Sequence, residues 1–314
     1  MGLKAVKPEA KEKRLKLLVY GPAGVGKTTA AIQFPNAYIV DTERGTDHYA
    51  KTINKSGSVV LQSNNPDEIR DELQQLLTKK HPYKTLIIDP ITQVYNSCQE
   101  KWTRIFEKYA KTTKEAEIQD FGPRYWGRVK QDMKAIDRLL LSLDMNVLIT
   151  SHQKDIYGPG MQKVGVGPDT KKGDEYLFDL VFELKNLGGK RMAITTKERA
   201  EMGESRFPPE FEWSYDSFLN YYGSDVIQRA SKPLALATPE QVIELTTLLG
   251  VVKVEEETIN KWLTKAEVDK FADMKEDQIL GCIAYCKNTL AKLQKKEPMP
   301  QTKNSKEAAN AVLV

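Results

Sequence analysis

Four short runs in the first half of the chain are mostly apolar: residues 15–20, 37–41, 85–89 and 146–150. Apolar runs of this length, bounded by turn residues, belong to strands covered on both faces. Between them, residues 27–34, 67–79 and 124–143 repeat apolar positions at helical spacing. This alternation predicts an α/β fold with a mainly parallel sheet under helices. The rhythm changes at residues 179–198, where two strand patterns flank Gly188-Gly189 and predict a C-terminal β-hairpin.

Two prolines fall in residues 231–239, and residues 231–237 read as a linker. Thr238-Pro239-Glu240-Gln241 then has the form of a capping box with proline at the first helical position, and Gly250 is expected to close that helix. Further helical patterns near 255–263, 267–272 and 275–293 make a small helical domain at 238–293. The expected organisation is a basic flexible arm at 1–14, a core at 15–230, the linker, the helical domain, and a disordered polar tail at 294–314.

Composition narrows this picture only slightly. The 314 residues carry a net charge of +4, and residues 1–16 alone hold six Lys/Arg against two Glu. A nucleic-acid surface must therefore be local. Cys98, Cys282 and Cys286 form neither a disulfide framework nor a zinc spacing, and Cys282 and Cys286, four apart in a helical pattern, read as core. No apolar run approaches the ~18 residues of a membrane span and no signal peptide is recognisable, so a reducing cytoplasm without membrane association is expected.

The chemistry begins at Gly21-Pro22-Ala23-Gly24-Val25-Gly26-Lys27-Thr28-Thr29, which follows the first strand and opens the first helix. A loop of this form wraps phosphates in backbone N–H groups, sends Lys27 to the outer phosphates, and offers the Thr28 hydroxyl to Mg²⁺. Asp89 ends an apolar strand and is the natural second magnesium ligand. Proline, not glutamate, follows it. A general base must then come from elsewhere or be absent, and Asp41 and Glu43 lie at the C-terminal edge of the second strand, where ligands of parallel sheets bind.

Here the chain resembles the RecA-like P-loop ATPases, which carry their catalytic glutamate in an Asp-x-Glu motif after the strand that follows the P-loop. The resemblance makes Glu43 the base. It also makes His152, with Gln153 as alternate, the γ-phosphate sensor after the fourth strand. Lys197 and Arg199 in the stretch Thr195-Thr196-Lys197-Glu198-Arg199-Ala200 match the Lys-x-Arg finger that such proteins insert into a neighbouring subunit's nucleotide. A cation there would neutralise charge developing on the γ-phosphate.

Two segments suit single-stranded DNA. Residues 154–175 contain five glycines and two prolines, are expected to form no regular element, and present Lys154, Lys163, Lys171 and Lys172 for phosphate contact. Residues 120–130 interleave Phe121, Tyr125 and Trp126 with Arg124, Arg128 and Lys130, a pattern for stacking bases while cations follow the backbone. Plain surface loops and core aromatics are the competing accounts. Over residues 15–220 the pattern is similar to phage RecA-like ATPases of single-strand annealing and recombination, although residues 99–123 are longer and more polar than a minimal RecA core. That resemblance implies ATP and Mg²⁺ as cofactors, single-stranded DNA as partner, a homo-oligomer with nucleotide at its interfaces, a contact with a single-strand DNA-binding protein, and a phage protein in the host cytoplasm. A replication helicase accessory or loader that uses ATP for partner binding stays open as the alternative.

Overall fold

The computed structural model describes residues 13–113, 122–200, 204–266 and 268–294. The arm up to residue 12, Phe121, and the tail from residue 295 lie outside them. Up to Leu234 the chain forms one compact unit, and from Ala235 another.

The first unit is an α/β layer structure. Its strands are β1 (Lys16–Tyr20), β2 (Ala37–Asp41), β3 (Val59–Gln62), β4 (Thr85–Asp89), β5 (Asn146–Ser151), β6 (Gln153–Tyr157), β7 (Lys163–Pro168), β8 (Leu180–Leu187), β9 (Lys190–Glu198) and β10 (Glu210–Glu212). Its helices are α1 (Lys27–Ala31), α2 (Ala50–Lys55), α3 (Pro66–Thr78), α4 (Ile91–Thr113), α5 (Gly122–Ser142), α6 (Tyr215–Tyr222) and α7 (Ser224–Gln228). Eight strands make one sheet in the order β10-β9-β8-β1-β5-β4-β2-β3. From β8 to β3 every pairing is parallel, and β9 and β10 continue antiparallel.

The apolar runs behave as strands buried on both sides. Leu17 and Val19 of β1 enter one core with Phe34, Ile39, Phe182 and Trp213, while Leu18 and Tyr20 enter the other with α3, α4 and α5. Period-two alternation sends neighbours to opposite faces, so a strand between two helical layers has no polar face to show. The β8–β9 hairpin turns at Gly188 and Gly189 with φ of 59° and 81°, a backbone that suits glycine at both central positions.

Three expectations are corrected. The glycine-rich segment after His152 forms a regular element, the two-stranded antiparallel sheet β6–β7. Gly158 and Gly160 lie at its turn, and Gly167 stands where a Cβ would press on Ile156 at 3.0 Å. Arg14, placed in the flexible arm, is buried and paired with Asp144 at 2.8 Å. Gly250 does not end its helix, which runs to Val252 and is capped by Lys253 in the left-handed region.

Lys16 is also fixed in place. Its ammonium donates to the carbonyls of Leu140, Leu143 and Met145 at 2.7–3.3 Å, satisfying the end of α5. Burial pushes its pKa down to about 7 against the opposing pull of Asp179 and Asp144.

The second unit contains α8 (Pro239–Val252), α9 (Glu256–Ala266) and α10 (Glu276–Gln294). The capping box at Thr238 and Gln241 is formed in both directions. Leu245, Ile279, Ile283, Cys282 and Cys286 share one core, so the two cysteines are packing residues.

Candidate nucleotide site

The loop after β1 is pinned by its glycines. A Cβ on Gly21 would stand 2.5 Å from the carbonyl oxygen of Leu184 on β8, a backbone atom that cannot move aside. Gly26 sits at φ 91°, and a Cβ there would lie 2.3 Å from the guanidinium of Arg191. The Lys27 ammonium folds back onto the carbonyls of Gly21 and Pro22, both at 2.9 Å. Burial lowers its pKa, opposed by the nearby carboxylates Asp89 and Glu43.

Sheet order places the carboxylates. β5 lies between β1 and β4, so Asp89 reaches the loop from one strand further away. Thr150 of β5 donates its hydroxyl to Asp89, and Thr28 bonds to the same carboxyl. Burial raises the pKa of Asp89, and those two hydrogen bonds oppose the rise. No cluster of three or more metal-ligating His, Cys, Asp or Glu side chains occurs among the described residues. One hydroxyl touching one carboxylate beside a phosphate loop suits Mg²⁺, which keeps several waters and binds through one or two protein oxygens plus phosphate. Thr28 and Asp89 would hold it, where it would neutralise phosphate charge.

Asp41 proves to be the organiser of its turn. Its carboxylate is buried and accepts the N–H groups of Glu43, Gly45 and Thr46 at 2.9–3.2 Å. The turn presents Glu43, whose Oε1 lies 3.1 Å from His152 Nε2 and accepts the Gln93 amide at 2.6 Å. Glu43, His152 and Gln153 line one open cavity of about 520 Å³ together with the phosphate loop, Asp89 and Arg191. A carboxylate, an imidazole, an ammonium and a guanidinium thus face one space.

A family profile described as an AAA domain matches residues 13–207. The chain belongs to this AAA domain family. Among solved structures it is similar to the RadB recombinase, at 18% identity over 58% of this chain and 80% of that one, with a TM-score of 0.35. It is also similar to the type III secretion ATPase EscN of enteropathogenic E. coli, at 12% identity over 88% of this chain and 67% of that one, with a TM-score of 0.32. No curated protein matches the chain in sequence. The AAA domain here is a P-loop nucleotide-binding unit of the ATPase class.

Other expected residues fall outside the AAA domain's pocket. Lys197 and Arg199 sit at the far end of the sheet. Lys197 pairs in register with Val181, and its neighbour Glu198 with Leu180, itself beside Leu17 at the start of β1. The Lys197 ammonium donates to the carbonyls of Glu175, Tyr176 and Phe178, while Arg199 pairs with Asp179 at 3.0 Å. Lys154 and Lys163 are half-exposed and paired with Asp169 and Asp155 at 3.3 and 2.7 Å, and Lys172 is exposed. Arg124, Trp126 and Arg128 lie exposed on α5, Arg128 over the Trp102 ring.

Two DNA candidates are corrected. Lys171 has a side chain only 13% exposed, wedged between Asp137 at 2.9 Å and Asp174, so it is not presented to a phosphate. Tyr125 is 6% exposed and donates its hydroxyl to the Gln99 carbonyl, so its ring face is core. The sequence reading missed Gln93 and Arg191. Gln93 lies in the first turn of the long helix after Asp89, and Arg191 follows the Gly188-Gly189 turn, which the parallel β1–β8 pairing brings to the phosphate loop.

Proposed function

We propose that this protein binds and hydrolyses ATP with Mg²⁺ and acts on single-stranded DNA as a homo-oligomer in phage recombination or annealing. The observation that carries the reading is the contact of Glu43 with His152, the residue that immediately precedes β6. Glu43 takes the proton of the attacking water, Lys27 holds the outer phosphates, and His152 ties the base to the β6–β7 hairpin. DNA phosphates are met by Lys154, Lys163 and Lys172 around that hairpin, and by Arg124 and Arg128 beside Trp126 on α5.

Lys197 and Arg199 lie far from their own pocket, a position suited to action on a neighbouring subunit's nucleotide rather than their own. The carboxylate partners of Lys154 and Lys163 favour the second reading, a helicase accessory or loader, because binding DNA there requires exchanging an intramolecular carboxylate for a phosphate. ATP turnover with and without single-stranded oligonucleotides decides between them. Stimulation at low salt is expected. Turnover that ignores oligonucleotides of every length would leave the loader reading.

A further inference from the structure

Arg191 stands out among the cations of the pocket. Its guanidinium lies against Gly26 so closely that a Cβ there would come within 2.3 Å of Nη2, 2.4 Å of Cζ and 2.6 Å of Nε. It lines the same cavity as Lys27, Asp89 and Glu43. Among the described residues its side chain has no ion pair or hydrogen bond, whereas Lys190 beside it pairs with Glu212. A planar group with five N–H donors and no acceptor is therefore placed against Gly26 of a loop whose form is suited to wrapping phosphate. Lys27 has the Gly21 and Pro22 carbonyls as partners, whereas the donors of Arg191 have none among the described residues and are open to an anion entering the cavity.

The hairpin carrying Arg191 is fixed at several points. The Leu184 carbonyl of β8 lies against Gly21, Asn186 pairs with Arg191 across the hairpin, and the Arg191 carbonyl accepts the Trp213 N–H at 2.7 Å. That last bond joins β9 to the residue after β10, so the strand holding Arg191 is braced on both edges. The side chain is thus carried on a rigid element rather than on a loop, as a preorganised ligand requires.

We propose that Arg191 is a phosphate ligand in cis, closing the phosphate loop from the β8–β9 hairpin and pairing with a phosphate of the nucleotide bound in its own subunit. The proposal rests on the nucleotide-site reading above and deepens it. It assigns the pocket a guanidinium from the same chain, separate from the expected finger at Lys197 and Arg199. A charge-assisted, two-pronged pairing is the strong form of phosphate contact, and Arg191 is poised to make one.

Binding of Mg-ATP and Mg-ADP by the full chain tests it, read by titration calorimetry beside the melting temperature without nucleotide. Arg191→Ala and Arg191→Gln are expected to weaken ATP binding by about 10- to 100-fold, the range for losing a hydrogen bond to a charged group. Melting without nucleotide should stay unchanged, because the Arg191 side chain has no hydrogen bond or ion pair to lose among the described residues. Arg191→Gln removes the guanidinium but keeps the stem of the side chain on β9, and decides the matter should the alanine variant fold poorly. If Arg191→Gln binds ATP like the wild type while Lys27→Ala does not, Arg191 is no ligand and the nucleotide site stands. If Lys27→Ala also binds like the wild type, the nucleotide-site reading falls and this inference falls with it.

Discussion

His152 Nε2 lies 3.1 Å from Glu43 Oε1, and the same oxygen accepts the Gln93 amide at 2.6 Å. The three residues leave the sheet from β5, β2 and the start of α4, so their meeting joins separate elements at the pocket's rim. A carboxylate held by two partners is oriented before nucleotide arrives.

Glu43 and Lys27 should separate chemistry from binding. Glu43→Gln is expected to keep ATP affinity while turnover falls roughly 10²–10⁴-fold, the scale of a lost general base. Lys27→Ala is expected to lose tight binding, since its ammonium reaches phosphates present in the ground state. Calorimetry and steady-state hydrolysis measure the two effects. Normal hydrolysis by Glu43→Gln would refute its assignment as base.

Lys197 and Arg199 should act between subunits. Their alanine variants are expected to bind ATP nearly normally and hydrolyse it poorly. Mixing such a variant with Glu43→Gln should recover part of the activity, because some interfaces then pair an intact finger with an intact base. Absence of recovery in subunits shown to co-assemble counts against trans action.

Lys171 should matter to stability through pH. Burial first, and then Asp137, lift the pKa of Asp174 to about 6, while Lys171 opposes the rise. The folded protein therefore holds a proton through the range from about 4 to about 6 that the unfolded chain has released. This group's contribution to stability falls as pH rises across that window. Lys171→Met leaves two buried carboxylates without their cation and is expected to cost about 3–5 kcal/mol near neutral pH. The deficit should shrink towards about pH 5, where the freed carboxylates take up protons. Urea unfolding at both pH values measures it, and an equal deficit at both would dismiss the ion triad.

Lys172 and Trp126 should affect DNA binding differently. Lys172→Ala is expected to weaken binding to all sequences alike and to reduce the log–log salt slope by roughly one. Trp126→Ala is expected to lower affinity by about 1–3 kcal/mol for a stacked base while the salt slope holds. Tyr125→Phe, which keeps the buried ring, should leave the affinity unchanged. A salt titration of oligonucleotide binding reads all three, and an unmoved slope for Lys172→Ala would remove that residue from the DNA surface.

The sequence by itself determined the phosphate loop, the buried strands β1, β2, β4 and β5, and the Gly188-Gly189 hairpin. Each depends on contiguous residues. A glycine that must admit the Leu184 carbonyl, or a run buried on both faces, leaves its mark at its own position. Tertiary structure decided which polar side chains share the pocket. Lys171 and Lys172 are adjacent, yet one is wedged between Asp137 and Asp174 and the other faces solvent. Tyr125 and Trp126 divide in the same way, because adjacent helical positions point about 100° apart. Arg191 and Lys197 share strand β9, six positions or about 20 Å apart at the rise of an extended strand. Pattern alone gives both as cations on a strand. Only the parallel pairing of β8 with β1, and the antiparallel return of β9, bring Arg191 to the phosphate loop and carry Lys197 to the opposite end of the sheet.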